Sequence, residues 1–431
     1  MHLETPAPRT IALDAGDSFR HAWHDKVRHD IFAVLAMALS LVMAAPAFSD
    51  GGATPTCLDD KGSPIDWWVI LKGHYGWEYV YTDSNASGVF SDIRPNINDK
   101  EAGALSLTMR AIQGGAYNEQ LAYFAYNDAP PKKRPSWALD IGASSSDTES
   151  VAHAKGLVAF DGKRTLWLLH SVPHFPQKRS SHGQYAGLPK SSLLYGQSFM
   201  CLSLNAKALD DIMTLLRVDR ANVFSQKIPP RLGDLLPFPP NDLARRLQAT
   251  GLKNADIAAP AVTTLVTEFS KAKVTAFAKP PTWGQDLYHH LIAPYFGVGF
   301  SVRTWMHSEL NLPSVSAGQD CHDSYFLMAF TPTEQNTCTS RCDSGTELAC
   351  TFQQNILQVD EILLDKTTPL IHEHDHSKWA VASNNSTRPL VCIGDINTQK
   401  SQRTRGGGAA CLEHKGLWQG FRQMIVKERQ P

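Results

Sequence analysis

Two His-x-Lys triplets, His153-Ala154-Lys155 and His376-Ser377-Lys378, stand one in each half of a 431-residue chain. No other feature restricts the fold as much. In a strand, residues i and i+2 point to the same face, so each triplet presents an imidazole and an ammonium together. For both pairs to act on one bond, segments far apart in sequence must converge on a common cleft. A single triplet of this kind arises by chance in many chains. A matched pair, the second followed by Gly394-Asp395-Ile396-Asn397, carries much more weight.

The first triplet opens an apolar run that turns at Asp161-Gly162 and returns to His170. If Asp161-Gly162 is a two-residue turn, His153 lies opposite His170, with Cβ atoms about 5 Å apart. A four-residue turn puts Val172 opposite His153 and leaves His170 diagonal to it. A lone strand histidine is ordinarily a half-buried ring with no special role. Here two imidazoles and an ammonium meet at one point, a set suited to phosphoryl transfer. One neutral imidazole attacks phosphorus and a second, protonated, gives its proton to the leaving oxygen. Lysines and an amide hold the remaining oxygens where other enzymes use magnesium. With an unperturbed histidine pKa of ~6.5, this chemistry favours mildly acidic solution.

The composition agrees with an enzyme acting on a local anion. With 42% hydrophobic residues and 41 Lys+Arg against 42 Asp+Glu, the chain is globular and carries no global basic field. Between Pro131 and Lys190, however, nine basic residues face four acidic ones, and Arg403 and Arg405 precede Gly406-Gly407-Gly408, read as a flexible basic loop. Such patches give salt-dependent contacts to a nucleic-acid backbone without reading bases.

Strand patterns cover Ile65 to Tyr81, Gln120 to Tyr126, both arms of the 151–173 hairpin, Gly297 to Trp305, Tyr325 to Phe330, and stretches near His374 and Val391. Helical patterns cover Leu204 to Leu216, Asp242 to Leu252, Val262 to Lys273 and Leu412 to Lys427. Strands and helices mix in both halves, which predicts an α/β class. The densest proline cluster, from Pro229 to Pro240, marks a boundary between residues 50–235 and 236–431.

Residues 1–49 read as a leader and signal peptide. The apolar run 31–47 follows Lys26 and Arg28 and ends in Ala45-Pro46-Ala47, a small-x-small cleavage site. This predicts the secretory route, to a lysosome, a periplasm or the exterior, with no membrane attachment once the signal is cleaved. Eight cysteines suit an oxidising compartment, and spacing alone leaves their pairing open.

These residues resemble the deoxyribonuclease II family, itself similar to the phospholipase D superfamily with its duplicated His-x-Lys motifs. The matching runs are Pro64-Ile65-Asp66-Trp67, Tyr126-Asn127-Asp128, His153-Ala154-Lys155-Gly156 and His170-Ser171-Val172-Pro173-His174-Phe175-Pro176. They continue with Tyr195-Gly196-Gln197-Ser198, Asp286-Leu287-Tyr288, Asp375-His376-Ser377-Lys378-Trp379, Gly394-Asp395-Ile396-Asn397 and Arg405-Gly406-Gly407-Gly408. The resemblance implies a metal-independent acid endonuclease that cuts DNA to 3′-phosphate ends and needs no cofactor. It also implies two phospholipase D-like α/β halves in a pseudo-twofold arrangement with a cleft between them.

Carried over by position, the resemblance makes His153, Lys155, His170, His376 and Lys378 catalytic, with Asn397 and Arg405 on the substrate. By analogy His153 is the nucleophile, through a covalent phosphohistidine, and His376 the general acid, although the two roles are interchangeable on sequence alone. It also implies disulfides Cys57–Cys201 and Cys321–Cys411. The family's cysteine after His-Ser-Lys-Trp is replaced by Ala380, which deprives Cys392 of its usual partner; Cys338, Cys342 and Cys350 are candidates to replace it.

Two other activities compete. His372-Glu373-His374-Asp375-His376 matches H-E-x-x-H, the zinc hydrolase signature, provided that a helix brings His372 and His376 to one face. Within the phosphodiesterase reading, a lipid head group is the alternative substrate.

Overall fold

The structure is a computed structural model. It describes residues 54–429 apart from 87, 115–119, 132–151, 178–184, 238, 244–246, 248–258, 306–353, 365–368 and 385. The leader and signal segment, Cys321, Cys338, Cys342, Cys350, the expected strand at 325–330 and most of the expected helix at 242–252 lie outside these residues. Among the described residues, no helix is long and apolar enough to cross a membrane.

The first sheet has seven strands: β1 (Trp67–Lys72), β2 (Tyr79–Asp83), β3 (Ala122–Asn127), β4 (Lys155–Phe160), β5 (Arg164–His170), β6 (Gln197–Asn205) and β7 (Val223–Lys227). Their order is β2-β1-β6-β5-β4-β3-β7, antiparallel throughout. The second sheet has nine: β8 (Ala261–Val266), β9 (Lys273–Lys279), β10 (Phe300–Arg303), β11 (Ile356–Leu363), β12 (Pro369–Ile371), β13 (Trp379–Ala382), β14 (Leu390–Gly394), β15 (Gly407–Glu413) and β16 (Ile425–Arg429). They run in the order β8-β9-β15-β14-β13-β10-β11-β12, with β16 also on β11; only β10 and β11 pair parallel.

Central strands are covered on both faces, which explains their near-continuous apolar runs. In β1 all six residues are buried. Trp67, Val69 and Leu71 join one core while Trp68 and Ile70 join another, as period-two alternation requires. The core containing Trp67 is shared: it takes Leu209, Ile212 and Leu216 from α2 (Ala208–Asp219) and Val274, Val391 and Leu412 from the second sheet. The outer core of the first sheet is closed by α1 (Ala104–Gly114), whose Leu105, Met109 and Ile112 recur at helical spacing. The helix α3 (Lys415–Met424) packs Leu417, Phe421 and Met424 into the shared core by the same spacing. The class is mixed α/β, with few helices and two large sheets.

Several local expectations change. Val262 to Lys273 is the hairpin β8–β9, not a helix. Its Val-Thr-Thr-Leu-Val run is β-branched and finds a partner strand, and pairing overrides a weak helical period. The turn at Asp161 has four residues, with Phe160 opposite Thr165. The Asp161 carboxylate accepts from the amides of Lys163 and Arg164, both at 2.8 Å, and Gly162 takes φ +89. Extending this register sets His170 opposite Lys155. Near His374 the expected strand is the short β12, Pro369–Ile371, and His372–His374 itself is a single 3-10 turn.

Cys57 and Cys201 form a disulfide. Cys411, however, is bonded to Cys392 and not to Cys321. The two face each other across the β14–β15 ladder, with Cα atoms 3.9 Å apart, so adjacency in the sheet decides the pairing. Ala380 sits on the other side of Cys392, on β13.

Gly406-Gly407-Gly408 is not a flexible loop either. A Cβ on Gly406 would lie 1.8 Å from the Asp219 carbonyl, and one on Gly408 would lie 2.2 Å from that of Phe277. Glycine is present here because backbones approach closely.

Candidate active site

Each triplet sits at a strand start. Lys155 heads β4, His170 ends β5, Lys378 directly precedes β13, and Asp395 to Asn397 follow β14. The two triplets share a local geometry: Lys155 Nζ donates to the His153 carbonyl at 3.0 Å, and Lys378 Nζ to the His376 carbonyl at 2.7 Å. Each ammonium therefore closes onto the backbone of its own histidine and stays beside the imidazole.

Contacts from distant segments bring the triplets together. The His153 amide donates to Gly406 O and the His376 amide to Gly196 O, each at 2.9 Å. The Lys378 amide reaches Ser198 Oγ at 3.2 Å, and the Ser198 amide reaches Ser171 Oγ at 2.9 Å. Ser171 immediately follows His170, so the end of the first hairpin is wired to the second triplet. Lys155 also acts electrostatically on Lys378.

His153 is held by both halves of the chain. Its Nδ1 lies 2.7 Å from the backbone carbonyl of Asp395. A carbonyl only accepts, so Nδ1 carries the hydrogen and Nε2 keeps the lone pair. Burial, then the charge of Lys155, hold this ring well below its usual pKa; Asp128 opposes them, and Lys378 and Arg405 add to them. His153 is thus a neutral imidazole with a directed lone pair.

Asp128 is the anion of the site. Its carboxylate meets Lys155 Nζ at 2.6 Å and Arg405 Nη2 at 2.9 Å, and lies 3.8 Å from His153 Nε2. Burial alone would raise its pKa, but the Lys155 ammonium and the Arg405 guanidinium outweigh it and hold the group ionised, well below the usual carboxylate range. Arg405 also donates to the Ala152 carbonyl at 3.3 Å, so this expected substrate contact is tied to the protein as well.

His170 is buried against Phe175 and Phe199. Burial and Lys155 push its pKa down to about 3 against Asp128, so it is neutral at any working pH. Its Nδ1 accepts from the Val172 amide at 3.2 Å, which places the hydrogen on Nε2. That donor has no partner among the described residues, and neither does Asn397 Oδ1. A buried donor without a partner is what an anion-binding pocket leaves for its ligand, whereas the Asn397 oxygen is an acceptor and only the Nδ2–H2 end of that amide serves an anion.

His376 is positioned by rings. It stacks on Tyr195 at 4.1 Å with 16° between planes, and Trp305 tilts against it at 4.6 Å. Lys378 is buried, and burial together with Lys155 lowers its pKa to about 7, against Asp128, Asp375 and Asp395. Beneath the site Asp395 and Asp219 form a buried acid pair. Burial raises both, and Lys279 beside them donates to the carbonyls of Arg403 at 2.9 Å and Arg405 at 2.5 Å.

His372 to His376 does not form the helix that a zinc signature needs. The 3-10 turn His372–His374 gives way to an extended Asp375, at φ −131 and ψ 112, so the outer histidines share no helix face. Among the described residues, no three His, Cys, Asp or Glu side chains gather as a metal site. Asp128, Tyr195, Trp305 and Asp395 had no role in the sequence reading. Three of them stood inside the family runs, and a carboxylate beside Asn127 was the available signal for Asp128.

The family model for deoxyribonuclease II matches residues 56–430. Deoxyribonuclease-2-alpha of Mus musculus is 30% identical over 408 residues, covering 92% of this chain and 99% of that one. Deoxyribonuclease-2-alpha of Rattus norvegicus is 29% identical over 403 residues, covering 91% and 98%. A crystal structure of yeast tyrosyl-DNA phosphodiesterase is a distant likeness, with 12% identity and a TM-score of 0.27 over 61% of this chain and 66% of that one.

Proposed function

This chain belongs to the deoxyribonuclease II family, and we propose that it hydrolyses DNA phosphodiesters without a metal, through a phosphohistidine on His153, to leave 3′-phosphate ends. The observation that carries this reading is the His153 ring, neutral, with Nδ1 on the Asp395 carbonyl and the lone pair on Nε2. In the first step Nε2 bonds to phosphorus and the bond to the 5′ oxygen breaks. The His376 imidazolium gives that oxygen its proton. Water then attacks the phosphohistidine, giving up a proton to the now neutral His376; the P–N bond breaks and the 3′-phosphate departs.

Lys155, Lys378, His170 Nε2–H and the Asn397 amide hold the non-bridging oxygens. Residues 50–235 and 236–431 each supply one triplet, in the pseudo-twofold cleft that the family resemblance implies. The apolar run at 31–47 directs the chain along the secretory route, to work in a lysosome, a periplasm or outside the cell.

Plasmid digestion at about pH 5 in EDTA, with end-group analysis, tests the reading. Sustained cutting to 3′-phosphate ends is expected; loss of cutting in EDTA, or 5′-phosphate ends, would overturn it. The acidic optimum has a second source besides His376. Because the Lys378 pKa is lowered to about 7, its ammonium is present below that pH and lost as pH rises through it. Arginine stays charged, so Lys378→Arg should move the alkaline limb of kcat/KM up by about one pH unit, whatever it does to the maximum. A limb that stays in place assigns it to His376 alone.

A further inference from the structure

We propose that His74, Tyr75 and His374 form a second binding subsite beside the catalytic residues, one that grips a DNA phosphate and its base flanking the scissile bond under acidic conditions. The proposal rests on the nuclease reading above and extends it to residues that this reading leaves unused.

Three rings from two distant loops meet here. The His74 and His374 imidazoles lie 5.8 Å apart with only 3° between their planes, and Tyr75 lies 5.3 Å from His374. The Tyr75 hydroxyl approaches His374 Nδ1 at 3.4 Å. Tyr75 is 61% exposed and holds φ +50, a region that non-glycine residues seldom occupy. A large aromatic ring held outward on unfavourable backbone serves no core, and strain of this kind concentrates at binding sites.

The loop is nevertheless built firmly. Lys72 Nζ donates to the carbonyls of Gly73 at 2.7 Å and Tyr195 at 3.0 Å, and the Gly76 amide donates to Leu193 O at 3.1 Å. The same Tyr195 stacks on His376. On the other side, the His374 carbonyl accepts from Gly196 at 2.8 Å, and only the extended Asp375 separates His374 from His376. Two extended residues span ~7 Å, within a nucleotide or two along a DNA strand.

Burial and then the parallel His374 hold the His74 pKa below its usual value, with Lys72 adding to them and Asp375 opposing, so an anion laid against the pair favours the protonated ring. The fixed charges acting on His74 are Lys72 and Asp375, and Glu78 acts in turn on Lys72. Of these, the Asp375 carboxylate is already held by Arg303 at 2.5 Å and by the Ser377 amide at 2.9 Å. A phosphate supplies the missing negative charge, and Tyr75 offers a sequence-tolerant face on which a base can stack.

The test uses the full chain carrying His153→Ala, so that DNA is bound and not cut. Fluorescence anisotropy with a labelled short duplex gives Kd at about pH 5 and about pH 7.5 at fixed ionic strength. Binding should tighten about tenfold on acidification, in part through Lys378, and adding His74→Gln with His374→Gln should cut that gain about threefold. Tyr75→Ala, which removes an exposed ring only, should weaken binding at both pH values. An acid gain that the double glutamine change leaves undiminished in a protein of unchanged melting temperature, or a Tyr75→Ala variant that binds like its parent, would overturn the subsite. If the His153→Ala protein still cuts the duplex, the catalytic assignment of His153 fails while the subsite result stands. If it binds no DNA at either pH, the nuclease reading falls and the subsite with it.

Discussion

Replacing His153 or His376 with alanine should each lower plasmid cleavage by ~10³-fold or more, with the fold and its melting temperature close to those of the parent. Both rings are only partly buried, so neither holds the core together. The two losses should differ in kind. His153→Ala removes the atom that bonds phosphorus, so no change of leaving group can restore it. His376→Ala removes the proton donor, and a phosphodiester with p-nitrophenolate in place of the 5′ oxygen needs no donor. The first burst of p-nitrophenolate should therefore recover in His376→Ala, although the phosphohistidine then hydrolyses slowly for want of its base, and should stay lost in His153→Ala. Recovery in the opposite variant would exchange the two roles. Near-normal plasmid cutting by either variant would refute the mechanism.

Asp128→Asn should reduce kcat about a hundredfold while leaving affinity for DNA unchanged or tighter. The carboxylate anchors Lys155 at 2.6 Å and Arg405 at 2.9 Å and stands beside His153. Without its charge the two cations lose their common anchor, and Lys155 drifts from the position where it meets a phosphate oxygen. The net charge facing DNA becomes more positive, which favours binding. This split of kcat from affinity separates positioning from mere structural support, because a simple packing defect would weaken both and lower the melting temperature. Asp128→Glu, which keeps the charge, should restore part of the rate. A variant that binds DNA tenfold worse and turns over normally would contradict the assignment.

Much of the site was legible because chemistry-bearing residues fall at short, regular spacings. His153 and Lys155, and His376 and Lys378, are neighbours by chain geometry, and both pairs meet in the same way, ammonium onto carbonyl. The strand positions of β1, β3, β4 and β5 were readable because buried central strands are continuous apolar runs. The β8–β9 hairpin was not, since its Val-Thr-Thr-Leu-Val run has no fixed period until a partner strand supplies one. The basic loop at Gly406 to Gly408 misled for a similar reason: glycine marks flexibility and close approach alike, and only the Asp219 and Phe277 carbonyls distinguish them.

From its residues alone, then, this chain declares two imidazole-ammonium pairs, the strands that begin beside them and an even complement of cysteines. Only the tertiary structure decided that Cys411 joins Cys392, that His153 carries its hydrogen on Nδ1, that Asp128 is the anion of the site and that Lys378 titrates near neutrality. The reason is physical. Covalent spacing places near neighbours, whereas tautomer, ionisation and sulfur pairing follow from desolvation and from atoms that the chain delivers from far away in sequence.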